Sequence, residues 1–289
     1  MNRTVKQILE SKTTIEGAGV RLKRVFGYNE VPLFDPFLLL DHFGSNNPKD
    51  YVKGFPWHPH RGIETVTYVL NGEVEHGDSI GNSGVIRSGD IQWMTAGSGI
   101  IHQEMPKKYD GLMQGFQLWI NLPAKAKMTA PKYRGVTKDQ IPTMRKEKAE
   151  IKLIAGLING TNGPVQDLAV DVEYFDVKLA AGGAFEHSTK KGYTTFAYVF
   201  EGSGHSGDIS IKSQECALFD EGTTVKIETK EGLRFLFASG KPLTEPVAWG
   251  GPIVMNTQQE LTKAFQELED NTFIKTGDTI KPSRSFYRS

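Results

Sequence analysis

A short β-rich pattern occurs twice in this chain, and this repeat constrains the fold more than any other feature. Tyr68-Val69-Leu70-Asn71-Gly72 returns as Tyr198-Val199-Phe200-Glu201-Gly202, and Gly77-Asp78 returns as Gly207-Asp208. The offset is 130 residues in both places (198 − 68 and 208 − 78), so the copies align without a gap. A strand, a turn and a following strand used twice predict two similar β-domains within 289 residues.

The local pattern around the repeat predicts an all-β fold. Residues 64–70 and 84–87 are short runs of β-branched and aromatic side chains that end at turn residues. Short strands separated by such turns are typical of antiparallel sandwiches and barrels. Asn71-Gly72 predicts a two-residue hairpin, because both positions tolerate positive φ.

The C-terminal region differs from the rest. Thr257 and Glu260 have the spacing of a capping box, and apolar residues then recur on one helical face, which predicts an amphipathic helix over residues 258–270. The polar tail from residue 276 onward is expected to be extended. Residues 123–148 contain three prolines and a lysine-rich, aperiodic run, which predicts an inter-domain connection. We therefore expect an N-terminal domain at 1–135 and a C-terminal domain, with the helix and tail, at 136–289.

The composition excludes several functional classes. Lys plus Arg and Asp plus Glu are 34 each, so the zero net charge offers no long-range attraction to phosphate backbones or anionic lipid. Direct nucleic-acid binding and membrane association are not expected. The first twenty residues lack the apolar segment of a signal peptide, and the single cysteine, Cys216, has no intrachain partner and is expected to be buried. These features predict a cytoplasmic protein.

Two short motifs carry metal-ligating side chains. His58 and His60, and likewise His102 and Glu104, are spaced i, i+2, which places both side chains of a pair on one face of a strand. We expect the two strands to face each other across a narrow barrel and to surround one divalent transition metal. Imidazole and carboxylate suit zinc, iron, manganese, nickel and copper. Four such ligands leave two open positions on an octahedral ion, as a catalytic metal requires.

The identity of the fourth ligand stays open at this level. Glu64 follows the first histidine pair at the spacing of a general double-histidine β-barrel motif, so it competes with Glu104. Parity along a straight strand permits Glu64 as a ligand. Pro59 and Gly62 interrupt a straight strand, however, and parity then does not decide.

The second copy of the repeat lacks the metal-ligating residues. At the 130-residue offset the first histidine pair is replaced by Ser188 and Lys190, and residues 209–240 contain no histidine. A metal is therefore expected in the N-terminal domain alone.

The other histidines receive structural interpretations. We expect His42 to be a core or hydrogen-bonded residue, His76 and His205 to be exposed in turn-rich hairpins, and His187 to lie on the surface.

Long segments of the chain resemble the pirin family of the cupin superfamily. The resemblance rests on His58-Pro59-His60-Arg61-Gly62-Ile63-Glu64-Thr65-Val66-Thr67-Tyr68, on residues 89–97, and on Gly99-Ile100-Ile101-His102-Gln103-Glu104-Met105-Pro106. Further matches lie at residues 35–41, 117–123 and 251–257, so the resemblance covers nearly the whole chain.

The resemblance implies a fold and a ligand set. Pirins are bicupins: two antiparallel cupin barrels of the double-stranded β-helix or jelly-roll type, with metal in the N-terminal barrel. Carried over onto the matching positions, the ligands are His58, His60, His102 and Glu104. Glu64 then lies outside the ligand set.

The resemblance also implies a function. Several pirins resemble quercetin 2,3-dioxygenases, in which a metal binds the flavonol oxygen and O2 cleaves the central ring with loss of carbon monoxide. Fe(II) is the first expectation for the metal, with Mn, Ni, Cu or Zn as alternatives, and Glu104 is the candidate base for the substrate hydroxyl. The alternative function is an iron-dependent regulatory module that binds a protein partner without catalysis.

Four apolar residues in these segments have two possible roles. They could form an aromatic barrel mouth that stacks a flat substrate, or they could be barrel core; they are Phe55, Trp57, Trp93 and Met94.

Overall fold

The structure, a computed structural model, describes residues 1–277 and residue 280. It consists of antiparallel β-strands with one α-helix near the C-terminal end, which confirms the predicted all-β class. Among the described residues, no helix is long and apolar enough to cross a membrane. Most of the polar tail predicted to be extended (278, 279 and 281–289) lies outside the described residues.

The elements follow one another along the chain. The strands of the first half are β1 (Val5–Glu10), β2 (Lys12–Glu16), β3 (Val20–Phe26), β4 (Phe37–Ser45), β5 (Phe55–His60), β6 (Ile63–Asn71), β7 (Glu73–Asp78), β8 (Ser83–Arg87), β9 (Ile91–Thr95), β10 (Ile100–Pro106), β11 (Met113–Asn121) and β12 (Lys132–Val136). The second half contains β13 (Thr143–Lys146), β14 (Ala149–Ala155), β15 (Leu157–Ile158), β16 (Thr161–Asn162), β17 (Val172–Leu179), β18 (Ala184–Ser188), β19 (Thr194–Ser206), β20 (Ile209–Lys212), β21 (Glu215–Phe219), β22 (Thr224–Glu228), β23 (Leu233–Gly240), β24 (Ala248–Gly250), β25 (Ile253–Met255) and the helix α1 (Gln258–Glu269).

The chain divides into two compact units. One unit, called the site unit below, contains Thr13–Pro32, Phe37–Lys138 and the described residues from Thr244 onward. The remainder forms the second unit. Strand β1 pairs with β21 in the second unit, whereas α1 belongs to the site unit. The division of the sequence into domains at 1–135 and 136–289 remains a proposal.

The same strand arrangement is used in both units. In the site unit β6 pairs with β9 and β11, and in the second unit β19 pairs with β21 and β23. Likewise β10 pairs with β5 and β7, while β22 pairs with β18 and with the end of β19. Tyr68 and Tyr198, which open the two copies of the repeat, are both fully buried. The structure therefore confirms that the 130-residue repeat marks two similar β-domains.

The predicted hairpin at Asn71-Gly72 is wrong. Strand β6 lies in a seven-stranded sheet of order β12-β9-β6-β11-β4-β3-β2, and β7 lies in a four-stranded sheet of order β5-β10-β7-β8. The φ of Gly72 is +101°, so the turn chemistry is present. The turn forms a corner between the two sheets, because β6 pairs with β11 and β7 pairs with β10 instead of with each other.

The region predicted as an inter-domain connection contains two strands. Strand β12 pairs with β9, and β13 pairs with β14. Each stands at the end of its sheet order. Edge strands are commonly short and carry charged residues, since charges there discourage further pairing. Each of these two strands contains one lysine and one arginine, which obscure the period-two pattern.

Apolar side chains fix the helix and fill the second unit. Helix α1 begins at the predicted capping box and buries Leu261, Ala264 and Leu268 against a cluster that includes Ile253. The core of the second unit consists of inward-facing aliphatic and aromatic side chains from most of its strands. Cys216 is fully buried, as predicted.

A buried lysine fastens the turn between β5 and β6. The Lys127 ammonium donates hydrogen bonds to the backbone oxygens of Gly62 and Val254, both at 2.9 Å, and to Oδ1 of Asn121 at 2.7 Å. Gly62 has a φ of +78°, and a Cβ there would lie 1.9 Å from the Val254 oxygen. Glycine is therefore required at this turn.

Replacing Lys127 by methionine should destabilise the protein. The substitution removes a donor from three buried oxygens, of which the Gly62 oxygen keeps the Leu122 N–H, so we expect the free energy of unfolding to fall by about 2 kcal/mol or more. Urea unfolding measures the change. Lys125→Met, at an exposed position two residues earlier, is the matched control and should change stability little. Equal losses in both variants would contradict the structural role of Lys127.

Candidate metal centre

The first histidine pair points into the site unit from strand β5. His58 and His60 lie on the same face, as their i, i+2 spacing predicts, and both are buried. Their Nε2 atoms are 3.1 Å apart. Two imidazole nitrogens at this distance face a common point.

The third histidine comes from the neighbouring strand. In the antiparallel pair β5–β10, His102 is directly opposite His58. Its ring centroid lies 4.3 Å from that of His58 and 5.0 Å from that of His60. The ligand atoms of the three residues all lie within 4.8 Å of one another. The expectation that the two motifs face each other across a barrel is wrong, because β5 and β10 are hydrogen-bonded neighbours in one sheet. Side chains at opposed positions of such a pair are in direct contact.

Backbone carbonyls orient the first two rings. Nδ1 of His58 is 2.9 Å from the Pro56 oxygen, and Nδ1 of His60 is 3.1 Å from the Pro252 oxygen. A carbonyl accepts only from a protonated nitrogen, so these contacts assign the proton to Nδ1 in both residues. The Nε2 lone pairs are then directed toward the cluster, as in histidines that ligate metals.

His102 supplies the test of whether a metal fits. The side chain is fully buried, and neither ring nitrogen has a hydrogen-bond partner within the described part of the chain. A buried polar group without a partner is costly and uncommon. A divalent ion between the three imidazoles would satisfy one of these nitrogens, so the residues present fit a metal.

Burial keeps the three rings neutral. It lowers the pKa of His58 to about 4 and the pKa values of His60 and His102 well below 6.5. Repulsion from neighbouring histidines is a further cause. Neutral imidazole is the form that binds a metal, so at neutral pH no proton has to leave these rings before a metal binds.

Glu104 lies close by but outside the three-histidine cluster. Its carboxylate accepts hydrogen bonds from Thr67 Oγ1 at 2.5 Å, Gln117 Nε2 at 2.8 Å and Gln92 Nε2 at 3.4 Å. Burial raises the pKa of Glu104, while the donors Thr67 and Gln117 oppose that shift. Its role as fourth ligand stays a prediction.

Glu64 is occupied elsewhere. Its carboxylate accepts hydrogen bonds from Thr95 Oγ1 at 2.6 Å and from the Trp93 indole at 3.0 Å. The side chain is buried on β6 and is not part of the histidine cluster.

A buried arginine, not identified from the sequence, ties the two ligand strands together. Arg61, next to His60, donates to the Ser98 oxygen at 2.7 Å in the turn before β10 and to the Phe273 oxygen at 2.9 Å. It also forms an ion pair with Glu267 of α1 at 2.8 Å. These contacts hold the end of β5 against the start of β10.

A buried pair that the sequence did not lead us to expect, His76 and Asp78, lies next to His102. His76 is buried, not exposed as expected; its Nε2 is 3.1 Å from Asp78 Oδ2, and its ring stacks on Tyr133. Its centroid is 5.5 Å from that of His102. Burial opposes ionisation of Asp78, but donors from His76 and Asn82 lower its pKa overall. The signal was present in the sequence, since His76 and Asp78 share the i, i+2 spacing of the ligand pairs.

The remaining histidines differ in environment. His187 is mostly buried and pairs with Glu173, so the surface prediction is wrong, whereas the His205 side chain is 38% exposed. His42 contacts the Gln114 amide at 3.0 Å and packs on Phe116, as its structural interpretation predicts. Within the described residues, the second unit contains no cluster of metal-ligating side chains.

A cavity of about 430 Å³ opens onto the site within the site unit. His58, His60 and Glu104 line it, together with the aromatic rings of Phe55, Trp119 and Trp249. Phe55 thus has the predicted mouth position. Trp93 and Met94 are fully buried barrel core, which was the other expectation.

Comparisons with known proteins agree with this geometry. Residues 19–120 match the family model described as Pirin, and residues 174–274 match the Pirin C-terminal cupin domain. A pirin-like protein of Caulobacter vibrioides is 44% identical over 273 residues, which cover 94% of this chain and 99% of that protein. Pirin of Rattus norvegicus is 38% identical, over 90% of each chain. The crystal structure of quercetin 2,3-dioxygenase from Acinetobacter baumannii superposes with a TM-score of 0.89 at 32% identity, covering 94% of this chain and 99% of that chain.

The fold and the site together define a cupin-type protein with a candidate metal centre in one of its two β-units. The chain belongs to the pirin family.

The buried histidines make the stability of the metal-free protein sensitive to acid. Their pKa values are lower in the folded state than in the unfolded chain, so the unfolded chain binds more protons below pH 6.5. The free energy of unfolding should therefore fall between pH 6.5 and about 4, by up to roughly 1.4 kcal/mol per pH unit for each histidine.

Chelator-treated protein, unfolded with urea at several pH values, measures this slope. His102→Gln should make the slope shallower, because it removes one of the titrating groups. His205→Gln, at a partly exposed position, is the control and should leave the slope unchanged. A flat wild-type profile over this range would contradict the prediction.

Proposed function

We propose that this protein is a metal-dependent dioxygenase that opens the central ring of quercetin-type flavonols with O2 and releases carbon monoxide. The observation that carries the proposal is the buried cluster of three neutral histidines at the wall of an aromatic-lined cavity. The structural similarity to a quercetin 2,3-dioxygenase supports it.

The proposed metal ligands are His58, His60, His102 and Glu104. A bound divalent transition metal, with Fe(II) as the first expectation and Mn, Ni, Cu or Zn as alternatives, would act as a Lewis acid toward the flavonol oxygen. The carbonyls of Pro56 and Pro252 hold the first two rings in the orientation that such a site requires.

Glu104 has the chemistry of a general base for the substrate hydroxyl. It borders the cavity beside the histidines, so its carboxylate faces the space that a flavonol hydroxyl would occupy. Thr67 and Gln117 hold the carboxylate in place through its two oxygens.

Metal-dependent bleaching of quercetin tests the activity. Metal-free protein is loaded anaerobically with Fe(II), Mn(II), Ni(II) or Cu(II) and then mixed with quercetin in air. We expect loss of the flavonol absorbance with at least one of these metals. His60→Ala should lower kcat/KM at least roughly 100-fold, because a ligand is removed.

His205→Ala, a histidine variant in the second unit, is the matched control and should retain full activity. The proposal is contradicted if no metal supports turnover, or if His60→Ala bleaches quercetin at the wild-type rate.

Paired carboxylate variants test the fourth ligand. Glu104→Gln should weaken metal binding about 10-fold to 100-fold, because an amide is a poorer ligand than a carboxylate. Glu64→Gln should bind metal as the wild type does, since Trp93 and Thr95 hold that side chain. Competition with a chromophoric chelator measures both affinities. Weaker binding by Glu64→Gln alone would reverse the assignment.

The alternative role as an iron-dependent regulatory partner stays a prediction, as does the cytoplasmic location.

A further inference from the structure

A row of polar side chains crosses the inner wall of the site unit from Glu104 toward the far end of the cavity. Cross-strand register sets Gln92 opposite Thr67, Thr67 opposite Gln117, Gln117 opposite Asp41, and Asp41 opposite Arg24. Directly opposed residues on neighbouring strands share one face of a sheet. The five residues therefore form one continuous line over β9, β6, β11, β4 and β3.

The two ends of the row have different partners. Gln92, Thr67 and Gln117 donate to the Glu104 carboxylate, as described above. At the other end Arg24 binds Asp41 through Nε and Nη2, at 2.9 and 2.8 Å, and binds Glu16 through Nη1 at 2.8 Å. Because strands are spaced about 4.8 Å apart, Asp41 lies about 10 Å and Arg24 about 14 Å along the sheet from Thr67.

The Arg24, Asp41 and Glu16 side chains border the same cavity as the histidines. One guanidinium and two carboxylates give this cluster a net charge of −1 when all three are ionised. The Arg24 guanidinium already donates to both carboxylates, and each carboxylate oxygen can accept a further hydrogen bond. A ligand at this cluster therefore encounters hydrogen-bond acceptors. Such a cluster favours hydroxyl donors and disfavours anions.

A series of aromatic rings extends from the histidines along the cavity. Trp119 makes an edge contact with His60 at 5.0 Å between centroids, Trp249 follows at 5.8 Å from Trp119, and Tyr28 follows at 5.6 Å from Trp249. All three rings line the cavity. A flat ligand of two or three linked rings that packs on them lies in the cavity that both the histidines and Arg24 border.

We propose that the carboxylates of Asp41 and Glu16, positioned by Arg24, select flavonols that carry hydroxyl groups on the pendant phenyl ring. The inference rests on the proposed function, since it takes flavonols as the ligands. Asp41 and Glu16 accept hydrogen bonds from those hydroxyls, and the Arg24 pairing holds the acceptors in place. Specificity therefore resides at the end of the polar row opposite Glu104.

The test compares two flavonols that differ only on that ring: quercetin, with two hydroxyls, and galangin, with none. Binding to metal-loaded protein is measured without oxygen at pH 8, from quenching of tryptophan fluorescence. We expect the wild type to bind quercetin about tenfold or more tightly than galangin. In Glu16→Ala and Asp41→Asn this ratio should fall toward one, with galangin affinity unchanged within about twofold.

Glu75→Ala is the matched control, because it removes one carboxylate from a side chain that is 55% exposed on β7 and does not line the cavity. It should keep the wild-type ratio. Unchanged galangin affinity shows that the variants are folded. The proposal is overturned if the wild type binds both flavonols equally, if neither binds, or if both cavity variants keep the wild-type ratio.

Admitting air to the same samples separates this inference from the proposed function. Selective binding of quercetin without turnover leaves the inference standing and removes the dioxygenase proposal. Turnover of both flavonols with equal affinity leaves the dioxygenase proposal standing and removes the inference about selectivity.

Discussion

The register between β5 and β10 is the constraint on which the candidate site depends. It places His102 directly opposite His58, and side chains at opposed positions of an antiparallel pair lie about 4.5 to 5.5 Å apart at Cβ. That separation lets three imidazoles share one ion. A slip of one residue would turn His58 and His60 to the other face of the sheet, so the three-histidine cluster depends on this register.

The contacts that maintain this register surround the ligand strands. Arg61 fastens the end of β5 to the turn before β10, and Lys127 holds the glycine turn that follows β5. Both cations are almost fully buried and use backbone oxygens as acceptors. Losing either would leave carbonyls unsatisfied in the interior, so the fold and the site geometry depend on the same hydrogen bonds.

The polar row connects the candidate metal centre to the proposed recognition site within one sheet. Apolar side chains two residues away along the strands, among them Leu39, Phe43 and Trp119, line the same cavity, so the inner wall keeps a hydrophobic character while it carries a line of hydrogen-bonding groups. Thr67 and Gln117 orient the carboxylate at one end, and Arg24 orients two carboxylates at the other. The sheet fixes the distance between the two ends of the row, so only a ligand of matching length can contact both ends.

Sequence reasoning succeeded where the signal was local. The shared face of His58 and His60 and the capping box of α1 were predictable, because strand parity and helix capping depend on near neighbours. The 130-residue repeat and the burial of Cys216 were predictable from the sequence pattern and the residue type. It failed for β12 and β13, where charged edge positions obscure the alternation. It also failed for Asn71-Gly72, where the same turn chemistry forms a corner between two sheets. The burial of His76 does not follow from the turn residues near it, because the exposure of a side chain depends on which strands pack over it.

The sequence by itself determined the β class, the duplication and which side chains could bind a metal, since each follows from residue type and short spacing. Only the tertiary structure decided that the ligand strands are neighbours, that Glu64 is held by Trp93 and Thr95, and that Arg24, Asp41 and Gln117 form one row. These residues are far apart along the chain. Strand order and register bring them together, and both are set by the packing of the whole sheet rather than by any local pattern.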